Sequence, residues 1–167
     1  MSDTTALTNL CAHIAEQKLP RWNELPDLEL YMDQVLSLIE RYLGSYPGFD
    51  RKGLTASMVN NYVKLGVMPA PVKKKYTRVH IAHLIMICVL KASLPIDSIK
   101  NLISESVSRR EESAIYNEFC DKFETSVQDA SEIAKSDLDI SGVYQAALRA
   151  QAEQALARKL YEAMFAE

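Results

Sequence analysis

The sequence predicts an all-α protein of about six helices, with at most a very short β-wing. Glycine and proline are scarce, at five and six among 167 residues, and long runs contain neither. Apolar residues recur in these runs at spacings of three and four, which is typical of amphipathic helices rather than of strands. The chain is long enough for one domain with a sizeable core, or for a small domain with an appendage.

The first fifty residues contain two predicted helices and a linker. Apolar spacing predicts a short helix over residues 4–17 and a strong helix over residues 27–44. Between them, "LPRWNELPD" contains two prolines, which disfavour helical backbone, so residues 1–26 form an N-terminal helix and linker. Asp27 and Glu29 suit the first turn of the second helix, because carboxylates stabilise the positive end of the helix dipole.

A short helix over residues 55–65 has well-marked ends. Thr55 is a favoured N-cap residue, and Gly66 lies in the C-terminal position where glycine is favoured. Apolar side chains fall on one side of this helix. Polar side chains fall on the other side, at helical spacing: Ser57, Asn60, Asn61 and Lys64.

The rest of the chain is also predicted to be helical. Thr77 suits the N-cap of a helix in which residues 81–90 are apolar almost all round, which indicates a central buried helix. Pro95 fits the first turn of the next helix. Two longer helices are predicted over residues 110–135 and 143–165. These patterns divide the chain after the linker into a domain over residues 27–105 and a C-terminal helical extension over residues 106–167.

Charge is distributed unevenly along the chain, whose formal net charge is −3. Residues 1–50 carry a balance of −5, residues 51–96 carry +8 with no acid at all, and residues 97–167 carry −6. A cationic segment between acidic flanks is typical of a surface that binds a polyanion. Its basic residues include three consecutive lysines in the proline-stiffened connector "VMPAPVKKKY".

Helix and connector together favour DNA as the polyanion. Asparagine can bond an adenine edge through two hydrogen bonds, and a short helix with a polar face suits a major groove. Lysines on a stiff connector suit the phosphate backbone. We predict groove contacts from Ser57, Asn60, Asn61 and Lys64, and backbone contacts from Thr55, Lys73, Lys74, Lys75, Tyr76 and Arg78.

Enzyme chemistry is not indicated. The chain contains no GxSxG, Walker, Rossmann or HExxH pattern. His80 and His83 are three residues apart on one helix, but Cys88 falls off their face, so we expect neither a metal site nor a cofactor. The neighbouring carboxylates Glu111 and Glu112 suit a solvated helix face.

Cysteine usage and hydropathy predict a cytoplasmic protein. Cys11, Cys88 and Cys120 are odd in number and far apart, which fits a reducing compartment. The N-terminus "MSDTTALTNL" does not have the pattern of a signal peptide, and no apolar run is long enough to span a bilayer. We therefore expect no membrane partner.

The segment "MVNNYVKLGVMPAPVKKKYTRVHIAHLIMICVLKASLPIDSIKNLI" resembles the DNA-reading head of mercury-resistance-type (MerR-type) transcription regulators. In that pattern a helix ending in tyrosine and glycine leads through a Pro-x-Pro connector to a basic wing. Where those regulators have an arginine and a tyrosine, this chain has Asn60 and Asn61. From Trp22 onward the chain resembles more closely a bacterial family called domain of unknown function 1836, through "RWNELPDLELYMDQV" and "HIAHLIMICVLK".

These resemblances imply a MerR-like winged helix-turn-helix fold and a transcriptional regulator that binds double-stranded DNA. Many bacterial regulators pair two half-sites, so we expect a homodimer. The candidate interface is an apolar stripe in the last helix: Leu148, Leu156, Leu160 and Met164. The C-terminal helices show no obvious effector site.

Other interpretations remain open from the sequence. The asparagines can be ordinary helix surface, the lysines a solvated loop, and the apolar stripe can pack back onto the domain. The scaffold can also serve as a non-enzymatic protein-interaction module, in which the lysines meet an acidic partner.

Overall fold

The computed structural model describes the backbone of residues 2–50, 52–136 and 139–166, and the side chains of residues 8–50, 52–132 and 139–166. Arg51, one of the basic residues of the cationic segment, lies outside the described residues. The all-α prediction is confirmed, with seven α-helices in the described ranges rather than about six. They are α1 (Ser2–Ala15), α2 (Met32–Leu43), α3 (Ala56–Lys64), α4 (Arg78–Leu90), α5 (Ile96–Arg109), α6 (Glu112–Ser136) and α7 (Ile140–Met164).

Other regular structure is sparse in the described residues. A 3-10 helix spans Trp22–Glu24. Two isolated antiparallel bridges join Leu30 to Tyr76 and Val72 to Lys75. None of the helices that the described residues form is long and apolar enough to cross a membrane.

The chain forms two compact units. One is Leu19–Asp121, and the other combines Met1–Lys18 with Lys122–Glu167. The linker after α1 lies in the first of these units from Leu19 onward, and its residues Leu19 and Leu25 are buried. Within the same unit Arg21 also forms an ion pair with Asp121, at 2.5 Å between Nη1 and Oδ1.

The core of the Leu19–Asp121 unit is α4. Every residue from His80 to Cys88 is buried, which agrees with the central helix that the sequence predicts. Helix α2 packs against α3 and α4, and α4 packs against α5. Val35, Ile39 and Leu43 of α2 are completely buried. This packing fixes α3 against the core along one side and leaves its other side in solvent.

Helix α2 begins later than the sequence predicts. The expected start at Asp27 is wrong, because α2 begins only at Met32, after the N-cap residue Tyr31, whose backbone is extended. The backbone of Leu30 exchanges two hydrogen bonds of 2.8 Å with that of Tyr76. Asp27 and Glu29 therefore lie outside the first turn of α2, which contains Asp33 instead.

The unit formed by the two ends of the chain contains α1, the later part of α6, and α7. Its buried residues include Cys11, Phe123, Val127 and Ser131. Within α7, every residue of which is described, Gly142 alone is buried. Helix α7 therefore buries little of its surface within a single chain.

Candidate nucleic-acid interface

Helix α3 presents a polar face to solvent because its apolar face lies in the core. Val59 and Tyr62 are 0% and 7% exposed, and they hold α3 in place. The four polar residues predicted to enter a groove, Ser57, Asn60, Asn61 and Lys64, are all accessible to solvent. The structure therefore brings them together on one accessible helix face.

Both ends of α3 are fixed by local interactions that the sequence predicts. Thr55 is the N-cap residue, and its Oγ1 accepts a hydrogen bond from the Met58 N–H at 3.2 Å. Gly66 has φ of +70°, in the left-handed region where glycine is favoured. Thr55 is itself exposed at the start of α3.

Replacing Thr55 with Ala is expected to lower the free energy of unfolding by about 1 kcal/mol, because the cap hydrogen bond is lost. Urea unfolding measures the change. Thr55→Asn is the matched control and should retain most of the stability, since asparagine also caps helices. Equal losses in the two variants would contradict the capping role.

Lys73 and Lys74 form the two-residue turn of a β-hairpin, and Lys75 is the first residue after the turn. Val72 and Lys75 pair across the turn, and the Lys75 N–H donates to the Val72 carbonyl oxygen at 3.0 Å. Lys73 and Lys74 occupy the two central positions with φ of 51° and 62°. Positive φ at both positions is the mark of a type I′ turn, for which Asn-Gly is the favoured sequence.

The turn holds two lysines in a backbone conformation that costs roughly 1–2 kcal/mol per non-glycine residue. Lys73 and Lys74 are exposed, and neither forms an ion pair with any residue that the structure describes. Stability alone would favour Asn-Gly here. The hairpin therefore presents two free ammonium groups at the expense of backbone strain.

The connector that carries the hairpin is fixed at both ends. Val67 and Met68 are buried where it leaves α3. Tyr76, at the other end, is only 3% exposed, and its ring lies edge-on to that of His80 at 5.4 Å between centroids. Tyr76 therefore anchors the hairpin from inside the core, and the structure does not place its side chain with the exposed lysines.

Lys75 forms an ion pair with Glu29, which lies far from it in the sequence. The Lys75 ammonium lies 3.1 Å from the Glu29 carboxylate, and its hydrogen bond to Glu29 raises the pKa of Lys75. The pairing of Leu30 with Tyr76 brings Glu29 to this position. The cationic segment is thus free of acids in sequence but not in space, and no local signal in the sequence indicates the contact.

Arg78 also contacts other residues of the Leu19–Asp121 unit. Its Nε donates to the Pro26 carbonyl oxygen at 3.4 Å, and its guanidinium carbon lies 5.8 Å from the centroid of the Trp22 ring. Arg78 is half-buried. Thr55 is accessible, but its hydroxyl accepts the cap hydrogen bond of α3. Among the ten predicted DNA-binding residues, the other six that are accessible form no such contact with the described residues: Ser57, Asn60, Asn61, Lys64, Lys73 and Lys74.

The two histidines of α4 are used inside the fold. The Thr77 N–H donates to His80 Nδ1 at 3.0 Å, which completes the cap of α4 that the sequence predicts at Thr77. His83 Nε2 lies 2.9 Å from a Glu112 carboxylate oxygen. Among the described side chains, no group of three or more His, Cys, Asp or Glu is placed to hold a metal ion.

Burial lowers the pKa of His80 below its ordinary value of 6.5. The unfolded chain then binds a proton more readily than the folded one, so the free energy of unfolding should fall as the pH decreases below about 6.5. Urea unfolding between pH 7.5 and 5 measures this fall. His80→Gln removes the titrating ring and should flatten the dependence. An unchanged pH dependence in that variant would rule out His80 as the cause.

The four residues predicted to form a dimer interface lie on α7. Leu148, Leu156, Leu160 and Met164 are each more than half exposed. Within a single chain they are therefore not packed into the core of their unit.

A family model described as a domain of unknown function (DUF1836) matches residues 20–123. The match covers more than half of the chain and includes α2 to α5 together with the lysine hairpin. No curated protein and no solved structure matches the chain. The chain belongs to the DUF1836 family.

Proposed function

We propose that the chain is a DNA-binding transcription regulator with a MerR-like winged helix-turn-helix domain. The observation that carries the proposal is the pair of exposed lysines in left-handed backbone at the hairpin tip. Strained backbone persists where function requires it. Two ammonium groups that form no ion pair with the described residues suit the phosphates of a nucleic acid.

Helix α3 would read bases in the major groove. The Asn60 and Asn61 amides can each offer a donor and an acceptor to an adenine edge. Lys64, in the last turn of α3, can reach a base or a phosphate. The buried side of α3 holds its backbone in place, so little backbone order has to be gained on binding.

The hairpin would lie along the phosphate backbone. Lys73 and Lys74 supply the direct charge, and the ion pair between Lys75 and Glu29 holds the base of the hairpin. Thr55 adds a hydroxyl donor at the start of α3. Phosphate contacts of this kind fix the orientation of a protein on the duplex, while the groove contacts specify the sequence.

The proposed regulator is a non-enzymatic homodimer. His80 completes the cap of α4 and His83 contacts Glu112, and we assign neither histidine a catalytic role. All three cysteines are free thiols and buried, which suits the reducing cytoplasm of a bacterial cell. A single reading head buries little surface on DNA, so two copies would be needed for tight binding.

The test measures binding of the full chain to a fluorescent random-sequence duplex by anisotropy, over a series of salt concentrations. If about four to six phosphates are neutralised, log K should fall with log[salt] at a slope near −4 to −5. No binding at low salt would overturn the proposal. It would favour the alternative in which the lysine hairpin meets an acidic protein.

A further inference from the structure

Helix α7 carries an unbroken row of exposed apolar residues at every fourth position. In a helix of about 3.6 residues per turn, such a row winds slowly around the axis rather than staying on one face. The row therefore forms a ridge, in the sense used for helix packing. Its members are Ile140, Tyr144, Leu148, Ala152, Leu156, Leu160 and Met164.

Small side chains lie at the middle of this ridge and beside it. Ala152 is the central member, and Ala147 and Ala155 lie in the neighbouring row of four-residue spacing, on either side of Gln151. All three alanines are exposed. The leucine side chains of the ridge project further from the helix than the alanines between them. A second helix can therefore approach the axis of α7 most closely at its middle.

The side of α7 that faces another helix of the same unit is the opposite one. A cavity of about 330 Å³ between α6 and α7 is lined by residues that include Ala146 and Ala150 of α7. About 160° around the axis separates Ala150 from Ala152. The middle of the ridge therefore faces away from α6.

We propose that the ridge of α7 packs alongside the ridge of α7 from a second copy of the chain, with the helices antiparallel. The ridge is symmetric about Ala152, with a leucine four residues away on each side. A two-fold axis near Ala152 would set Leu148 of each copy beside Leu156 of the other. The inference deepens the proposed function, since it names the partner and the surface of the expected homodimer.

The charges of α7 favour a second copy over a charged partner. No charged residue occurs from Ile140 to Leu148. Arg149 pairs with Glu153 and Lys159 pairs with Glu162, each at 2.5 Å within the helix. An acidic or basic partner would find few unpaired charges here, whereas two copies of a nearly neutral apolar surface do not repel each other.

The apolar area that one partner can cover suits a small interface. Because the row winds by about 40° every four residues, Ile140 and Met164 lie about 120° to either side of Ala152, and the four large residues from Tyr144 to Leu160 can face a partner. Burying one large apolar side chain removes on the order of 60–120 Å² from water, so these four offer roughly 250–500 Å² of the about 800 Å² that each partner buries in a standard interface. Crossed ridges pack most closely at their centre, so Leu148, Ala152 and Leu156 would carry most of the contact.

The test is oxidative cross-linking of two single variants of the full chain, without DNA. Ala152→Cys should form a disulfide-linked dimer, because residues close to a two-fold axis bring their Cα atoms within the roughly 4.4–6.8 Å that a disulfide spans. Ala150→Cys is the matched control, since it changes an exposed alanine at nearly the same level on the side facing α6. Cross-linking of both variants to the same extent would overturn the proposed geometry.

Sedimentation of the unmodified chain and of Leu148→Glu completes the test. The unmodified chain should be dimeric at micromolar concentration, and Leu148→Glu should raise its dissociation constant at least a hundredfold with an unchanged circular dichroism spectrum. An unmodified chain that stays monomeric at about 100-fold higher concentration would overturn the inference. Binding of Leu148→Glu to a short random duplex separates the two proposals, because salt-dependent binding by a monomer leaves the DNA-binding function intact.

Discussion

Replacing Lys73 with Asn and Lys74 with Gly is expected to stabilise the protein and weaken its binding to DNA. Asn-Gly is the favoured type I′ turn, so the strain of two lysines at positive φ is relieved. The free energy of unfolding should rise by about 1–2 kcal/mol. Urea unfolding measures this change, and the hairpin pairing of Val72 with Lys75 is retained in the variant.

The same double variant should bind a random duplex about 50-fold more weakly at 0.1 M salt. Two phosphate contacts are lost, and each contributes about 0.9 to the slope of log K against log[salt], so the slope should become shallower by about 2. Fluorescence anisotropy over a salt series gives both quantities. Opposite changes in stability and affinity would identify the lysines as functional rather than structural.

The matched control removes two positive charges elsewhere. Arg109→Gln together with Arg110→Gln produces the same change in net charge within the Leu19–Asp121 unit, at two guanidinium groups that already pair with Glu105 and Glu118. Affinity for DNA should change less than about threefold, because exposed charges that are already paired contribute little. Equal losses of affinity in the two double variants would mean that net charge, and not the hairpin, governs binding.

Replacing Ile85 with Ala is expected to produce the largest loss of stability. Ile85 is completely buried in α4, the helix that packs against both α2 and α5. Removing its outer carbon atoms leaves a cavity in the centre of the Leu19–Asp121 unit. The cost should be about 2–5 kcal/mol, which is a large part of the roughly 5–15 kcal/mol by which domains are stable.

Denaturant unfolding followed by circular dichroism measures this loss as a lower transition midpoint with little change in slope. Leu28→Ala is the control, because Leu28 is 72% exposed and loses a side chain of similar size. Its effect should lie within about 0.5 kcal/mol. Similar losses in the two variants would contradict the placement of α4 at the centre of the core.

Features of the fold that depend on neighbouring residues are predictable from the sequence. The cap at Thr55 and the glycine at Gly66 define α3, and both act within one helical turn. The burial of α4 follows equally from its own composition, since an almost wholly apolar helix can be stable only inside a core. These local rules also place the polar face of α3 correctly.

Features that depend on distant pairing are not predictable in the same way. Leu30 and Tyr76 are far apart in the sequence, and their pairing both delays the start of α2 and brings Glu29 to Lys75. The burial of Tyr76 follows from the same contact. Composition marks the cationic segment, but only the tertiary structure separates the exposed lysines Lys73 and Lys74 from Lys75.

Because Leu30 pairs with Tyr76 through the backbone, the shape of the hairpin does not depend on the side chains at its tip. The base of the hairpin is held by main-chain hydrogen bonds and by the buried Tyr76 ring, neither of which involves the two tip side chains. Residues at positions 73 and 74 can therefore change over generations without repacking the interior. If the proposed function holds, an exchange of these two residues alone would change the affinity for DNA without altering the architecture.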